Sequence, residues 1–379
     1  MQAVVRQATI DDKNAIWDFI SVAYGDHAKD KIPDRWNWEF LENPLVDKSR
    51  KEIPIFIAIK DGNIIGQMGE ILCQIKIGEE MYRIGTGVDL IVHPDYRRYG
   101  IAKKLIEVIS GHLDLRYTIV RSKITTKILD TYKQLGYQKF KTIPVYRRFV
   151  KLDRVTVSHF LSVNTANHLW MKSIVKLSCR FGFDEIVSAA VNFLIKTREL
   201  LEHKKKGNFR SEIKEVQQFG DEIDQLWNAI SDKFKIIIKR DRQFLNWRFS
   251  NHTKLDYRKF ISICDGETKG YIVIRKPDST ELNRGTIVDL FASPDDNETI
   301  ESLIHHAIDF FGKSILMIEC PASLREYQRA LSKFGFLRIG KTEPYFCCKD
   351  SILRNKLEKW GNDWFITKAD QDWDQIQPI

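Results

Sequence analysis

The sequence predicts an α/β (α+β) protein built from two similar halves, each a mixed, mostly antiparallel sheet flanked by helices. Two observations carry this prediction: a repeat at an offset of about 200 residues, and alternating strand and helix patterns within each repeat unit. Asn37-Trp38-Glu39-Phe40 reads like Asn246-Trp247-Arg248-Phe249, and Val88-Asp89-Leu90 followed by Pro94-Asp95 matches Val288-Asp289-Leu290 followed by Pro294-Asp295. Leu135-Gly136-Tyr137 then matches Phe334-Gly335-Phe336, and Lys141-Thr142-Ile143-Pro144 matches Lys341-Thr342-Glu343-Pro344. Order and spacing both hold, which chance does not produce.

In the first half, Ala3 to Ala8 predicts a strand. Thr9 with Asp12 is a variant capping box that opens a helix carrying Ile16, Phe19, Ile20 and Ala23 on one face, and Gly25 stops it. Ile55 to Lys60 and Ile64 to Ile77 form a hairpin about Asp61-Gly62-Asn63. Val88 to Val92 is a further strand, and Ile101 to Leu113 a helix with Leu105, Ile106, Ile109 and Leu113 inward. After a strand at Tyr117 to Val120 comes a helix from Thr125 to Leu135, stopped by Gly136, and strand material from Tyr146 to Val150. The expected organisation is a first domain over 1–150, a basic helical connector over 151–210, a second domain over 211–350 and a C-terminal tail over 351–379.

Composition excludes several classes. With 43% hydrophobic and 29% charged residues the chain is neither disordered nor collagen-like. Its six cysteines are scattered without a CxxC pair, so no metal site and no disulfide framework is expected. No apolar run reaches bilayer length and no secretion signal opens the chain, which leads to an expected cytoplasmic location. The net charge of +9 suits a polyanionic ligand. Most of it lies in 151–210, where Trp170, Ile174, Leu177 and Phe181 form a stripe opposite Lys172, Lys176 and Arg180; such a helix packs against the domains, or contacts a membrane surface or acidic protein. No nucleic-acid-binding motif is present, so no nucleic-acid partner is expected; oligomeric state is not legible.

The chemistry is expected where a strand ending at His93-Pro94 runs through Asp95-Tyr96-Arg97-Arg98-Tyr99-Gly100-Ile101-Ala102 into a helix. Gly100 lets the backbone approach a ligand, Ala102 leaves room, and the free N–H groups of the first turn attract phosphate, with Arg97, Arg98, Lys103 and Lys104 adding charge. The same residues also make an ordinary strand-to-helix turn.

The pattern Arg97-Arg98-Tyr99-Gly100-Ile101-Ala102, with Tyr132 four residues before Gly136-Tyr137, resembles the GNAT superfamily of acyl-CoA-dependent N-acyltransferases. The whole chain is then similar to two tandem GNAT-like domains joined by the basic connector. The resemblance implies an acyltransferase that moves acetyl, or another short acyl group, from acetyl-CoA (coenzyme A) to a primary amine of a small molecule or amino sugar. It implies that backbone amides from Arg98 to Lys103 hold the pyrophosphate, with Arg97, Tyr99, Gly100, Ile101 and Ala102 in the same loop. The pantetheine would lie between the strands at 88–92 and 117–121, with the thioester carbonyl near Leu90, Ile91 and Val92. Thr125 stands where many relatives have asparagine. Tyr132 is the candidate acid for the departing thiolate, or alternatively a core tyrosine. Asp89, Glu70 and His93 are candidate bases; Asp89 also has a structural alternative, because Asp289 repeats it.

The second half departs from the pattern. Asp295-Asp296-Asn297-Glu298 replaces the basic glycine loop and Leu331 replaces the tyrosine, which points to one active site and a degenerate partner. In the tail, Asp370, Asp372 and Asp374 alternate between aromatics, a spacing that holds a cation or forms a solvated acidic segment docked by tryptophans. Arg35, Trp36, Trp38, Arg242 and Trp247 line an acceptor cleft or pack a core. An acyl-CoA-binding scaffold without turnover is the alternative function.

Overall fold

The computed structural model describes residues 3–120, 126–151, 209–251, 254–277 and 283–375, with isolated positions between 189 and 197. The expected connector lies almost entirely outside the described residues, as does Thr125.

The first half runs β1 (Val4–Thr9), α1 (Lys13–Tyr24), α2 (Asp34–Phe40), β2 (Glu52–Lys60), β3 (Asn63–Ile77), β4 (Glu80–Val92), α3 (Ile101–Ser110), β5 (Leu115–Val120), α4 (Thr126–Gln134), β6 (Gln138–Lys139) and β7 (Ile143–Phe149). The second runs β8 (Glu212–Val216), α5 (Asp221–Ile230), β9 (Ile236–Ile238), α6 (Arg242–Phe249), β10 (Tyr257–Cys264), β11 (Glu267–Arg275), β12 (Arg284–Ala292), α7 (Asn297–Phe311), β13 (Met317–Pro321), α8 (Arg325–Lys333) and β14 (Leu337–Cys348). Then α9 (Ser351–Trp360) leads to β15 (Trp364–Phe365).

Local signals explain much of this. Asp12 accepts from the Thr9 backbone N–H at 2.8 Å, as the capping box requires. The hairpin turns at Asp61-Gly62 and Asp265-Gly266 place both central residues at positive φ (49° and 80°; 52° and 80°), the geometry that matches the twist of paired strands. α2 was not anticipated: Arg35, Trp36, Trp38, Glu39 and Phe40 are all buried, so this short helix has almost no polar face to set a period.

The sheet order is β1-β2-β3-β4-β5-β14-β7-β13-β12-β11-β10-β8. Only β4–β5 and β12–β13 along this path are parallel. The two halves therefore mirror each other about the β14–β7 pair, with their last strands exchanged. β14 pairs with β5 of the first half, β7 with β13 of the second. One apolar core spans both halves through Trp36, Trp38, Trp247, Phe291 and Trp364, and a smaller one under α3 and α4 gathers Met68, Leu105, Tyr132, Tyr137 and Tyr345.

At the mirror axis, Trp38 and Trp247 stack at 4.9 Å, and each indole N–H donates to the other's backbone carbonyl at 2.7 and 2.9 Å. They are core residues, as is Trp36, whereas Arg242 is half-exposed and pairs with Asp221.

The C-terminal segment corrects an expectation. Residues 364–372 are buried, and the three alternating acids take cations from the protein itself: Asp370 pairs with Arg240 at 2.7 Å, Asp372 with Arg35 at 3.0 Å, and Asp374 with Arg248. The segment is a seam between the halves, because its carboxylates satisfy arginines that would otherwise be buried uncompensated.

Candidate active site

β4 and β5 are hydrogen-bonded only at Gly85–Arg116 and Thr86–Tyr117 and separate beyond that point. The opening lies where the pantetheine was expected. Along its β4 wall, Gly69 faces Val88 and Gln67 faces Ile91, so Asp89 and Leu90 together oppose Met68 in a β-bulge with Asp89 at φ 53°. Leu90, Ile91 and Val92 are half-buried along this wall.

β4 then runs through His93 into the loop before α3. Arg98 and Gly100 adopt left-handed φ of 71° and 80°. A Cβ on Gly100 would meet nothing within 4 Å, so conformation rather than space favours glycine there. No side chain caps α3. Arg97, Arg98, Tyr99 and Lys103 are exposed; Arg97 Nε donates to the Val92 carbonyl at 3.3 Å, and neither Arg98 nor Lys103 forms an ion pair among the described residues. Ile101 is buried and Ala102 half-buried, anchoring the helix while its N–H groups face outward. Left-handed residues before an uncapped helix are the backbone arrangement from which anion-binding concavities are built.

Tyr132, on α4, is buried in the smaller core with its ring edge-on to Tyr137 at 4.9 Å. Burial pushes its phenol well above the ordinary range, opposed by Arg116 and the Thr118 hydroxyl on β5.

Asp89 pairs with the fully buried Lys31 in the turn before α2, and Lys31 also binds Glu39 on α2. Arg35 joins through Glu39 at 2.8 Å. Burial raises the proton affinity of Asp89 and Lys31 opposes the shift. The other two candidate bases are placed differently. Glu70 is fully buried, pairs with Arg116 and bonds His112 at 2.8 Å. His93 Nδ1 accepts from the Asp95 N–H at 3.3 Å, as a cap of the following turn.

In the second half, β12 and β13 separate after Thr286–Glu319. There Tyr327 bridges the end of β12, donating to the Ala292 carbonyl at 2.6 Å and accepting from the Ala292 N–H at 3.2 Å. Asp296 caps α7 by accepting from the Thr299 N–H at 3.0 Å, which removes the exposed donors that α3 retains. Leu331 is buried where Tyr132 stands in the first half.

Residues missed by the sequence reasoning are Lys31, Glu39 and Arg116. A lone arginine within the apolar strand Leu115-Arg116-Tyr117-Thr118-Ile119-Val120 was a signal available for the last.

Residues 4–139 match the family described as the acetyltransferase (GNAT) domain. Among solved structures the chain is similar to a GCN5-related N-acetyltransferase from Anabaena variabilis, with TM-score 0.57 and 10% identity over 91% of this chain and 72% of that one. A GCN5-related N-acetyltransferase from Kribbella flavida gives TM-score 0.55 and 9% identity over 91% and 70%. Saccharomyces cerevisiae N-myristoyltransferase, solved with bound myristoyl-CoA and inhibitors, gives 0.54 and 10% over 91% and 80%. No curated protein matches by sequence. Residues 4–139 thus carry a GNAT acetyltransferase domain, and the sheet order of the second half mirrors that of the first.

Proposed function

We propose that the protein is an acyl-CoA-dependent N-acyltransferase with one donor site, in residues 1–150, and a second half, residues 211–350, that has given up donor binding. The observation that carries this reading is the contrast between the helix starts beside the two openings: α3 begins at a bare left-handed glycine among free cations, α7 at a capping aspartate. The loop from Arg97 to Lys103 holds the pyrophosphate of the donor, and the wall at Leu90, Ile91 and Val92 polarises the thioester carbonyl.

The acceptor is a primary amine of a small molecule or amino sugar, approaching from the α2 side. Its nitrogen bonds to the acyl carbon as the carbon–sulfur bond breaks. Asp89, whose proton affinity burial raises, takes the proton of the incoming ammonium. Tyr132, held protonated by its surroundings, gives a proton to the departing sulfur and is restored by the second proton that the nitrogen sheds on becoming an amide. The transferred group is a short acyl chain, acetyl being the simplest.

Calorimetric titration of coenzyme A and acetyl-CoA tests the donor site. Binding to the wild type that is lost in Gly100→Trp and in Arg97→Glu/Arg98→Glu supports it, and no binding sinks it. Thiol release with a panel of amines tests turnover: Tyr132→Phe lowers kcat by about a hundredfold or more if the phenol is the acid. Binding without turnover for every amine would make the protein an acyl-CoA-binding scaffold.

A further inference from the structure

Arg116 is a buried cation of the first half that the proposed reaction does not use. Its Nη1 donates to the Ile109 carbonyl at 2.9 Å and pairs with Glu70, which is itself shared with His112. Its Nε and Nη2 meet no carboxylate or carbonyl among the described residues, although the side chain is 1% exposed. The Tyr137 phenol, placed to hydrogen-bond the guanidinium, leads its electrostatic surroundings, followed by the Tyr132 phenol and the Cys347 thiol. A buried guanidinium edge that meets a neutral phenol and no carboxylate is costly, and that edge is the one that grips a carboxylate with two parallel bonds.

The fold does not need this charge. Arg116 pairs with Gly85 in the first half, and the corresponding pair in the second is Gly285 with Ile318, a fully buried isoleucine. A buried ion pair that an aliphatic residue replaces in the sister half is poor value for stability. Its position is informative as well. Arg116 sits where β4 and β5 begin to separate, and a Cβ on Gly87 would lie 3.9 Å from Nη2. From Gly87 to Ile91 the strand advances about 10 Å, allowing one residue for the bulge. Acetyl leaves most of that distance empty, while a four- or five-carbon diacid attached through one end brings its free carboxylate to the guanidinium.

Resting on the donor site proposed above, we infer that the Nε–Nη2 edge of Arg116, which meets no carboxylate of the protein, selects an acyl group ending in a carboxylate, such as succinyl or glutaryl. Calorimetry with coenzyme A, acetyl-CoA, succinyl-CoA and glutaryl-CoA on the full chain tests it. The wild type binds succinyl- or glutaryl-CoA about tenfold or more tightly than acetyl-CoA, the gain of a charge-assisted bidentate contact. Arg116→Lys, which keeps the charge and removes the fork, brings that ratio near one. The double variant Glu70→Leu/Arg116→Ile, which imitates the apolar sister half and strands no charge, does the same. A ratio near one in the wild type, or a preference that survives in both variants, overturns the inference while leaving the donor site standing. No binding of coenzyme A or any thioester overturns the donor site, and this inference with it.

Discussion

The two halves share a sheet order and differ at the places where a ligand would be held. Each buries a cation against the aspartate of the fourth strand in its own unit: Lys31 with Asp89, Arg240 with Asp289. These cations occupy the same place in the repeat, six residues before Asn37 and Asn246. The second-half pair is locked. Arg240 also bonds Asp370, Thr367 and the Ile238 carbonyl, and Tyr271 donates to Asp289 at 2.8 Å. The first-half pair uses a point charge, and its aspartate sits in a left-handed bulge beside an opening. The same architecture is thus cross-linked through several partners in the second half and set beside an opening in the first.

Four experiments press on that difference. The largest effect is expected from Arg240→Met, which leaves Asp289 and Asp370 buried without their cation; it costs about 3–5 kcal/mol in denaturant unfolding. A loss below about 1 kcal/mol would reduce the strut to the standing of a surface pair.

Asp370 gives the next. Burial raises its pKa to about 6, with Arg240 opposing. Below about pH 4 both folded and unfolded states hold the proton and the group is neutral in the balance; as pH rises toward 6 the unfolded chain releases it first, so this group removes about 3 kcal/mol of stability across that window. Asp370→Asn abolishes the term. Its stability relative to wild type should rise between pH 4 and 6, and parallel pH profiles would contradict the assignment.

Smaller again is Gly100→Asp, which gives α3 the second half's kind of cap. Strain at positive φ and the added negative charge weaken coenzyme A binding between about tenfold and a hundredfold by calorimetry. The reciprocal Asp296→Ala creates no donor binding and costs about 1 kcal/mol as a lost N-cap. Donor binding gained there would show that the cap alone had silenced the second half.

Much of the fold and the loop before α3 was legible because the signals were local. Asp61-Gly62, Gly100 and Gly136 mark left-handed turns that few other residues tolerate, and the amphipathic periods of α1, α3 and α4 placed their cores. Asp89 was visible as a repeated acid, but Lys31, its partner, was not, since nothing in the 57 residues of intervening sequence says that they meet. The tail misled for the same reason. Alternating acids look solvated until Arg35, Arg240 and Arg248 arrive from elsewhere to neutralise them.

The sequence by itself determined the duplication, the strand and helix alternation, and the asymmetry between a basic glycine loop and an acidic one. Each of these is written in residue types at short spacing. Only the tertiary structure decided that β7 and β14 change sheets, that the last segment becomes a buried seam, and that Arg116 is buried at the vertex of the opening. The physical reason is that strands pair through backbone groups common to all residues, so two similar repeat units offer each strand equivalent neighbours. Which of them it takes, and which buried charges then meet, is settled by the packing of the whole chain.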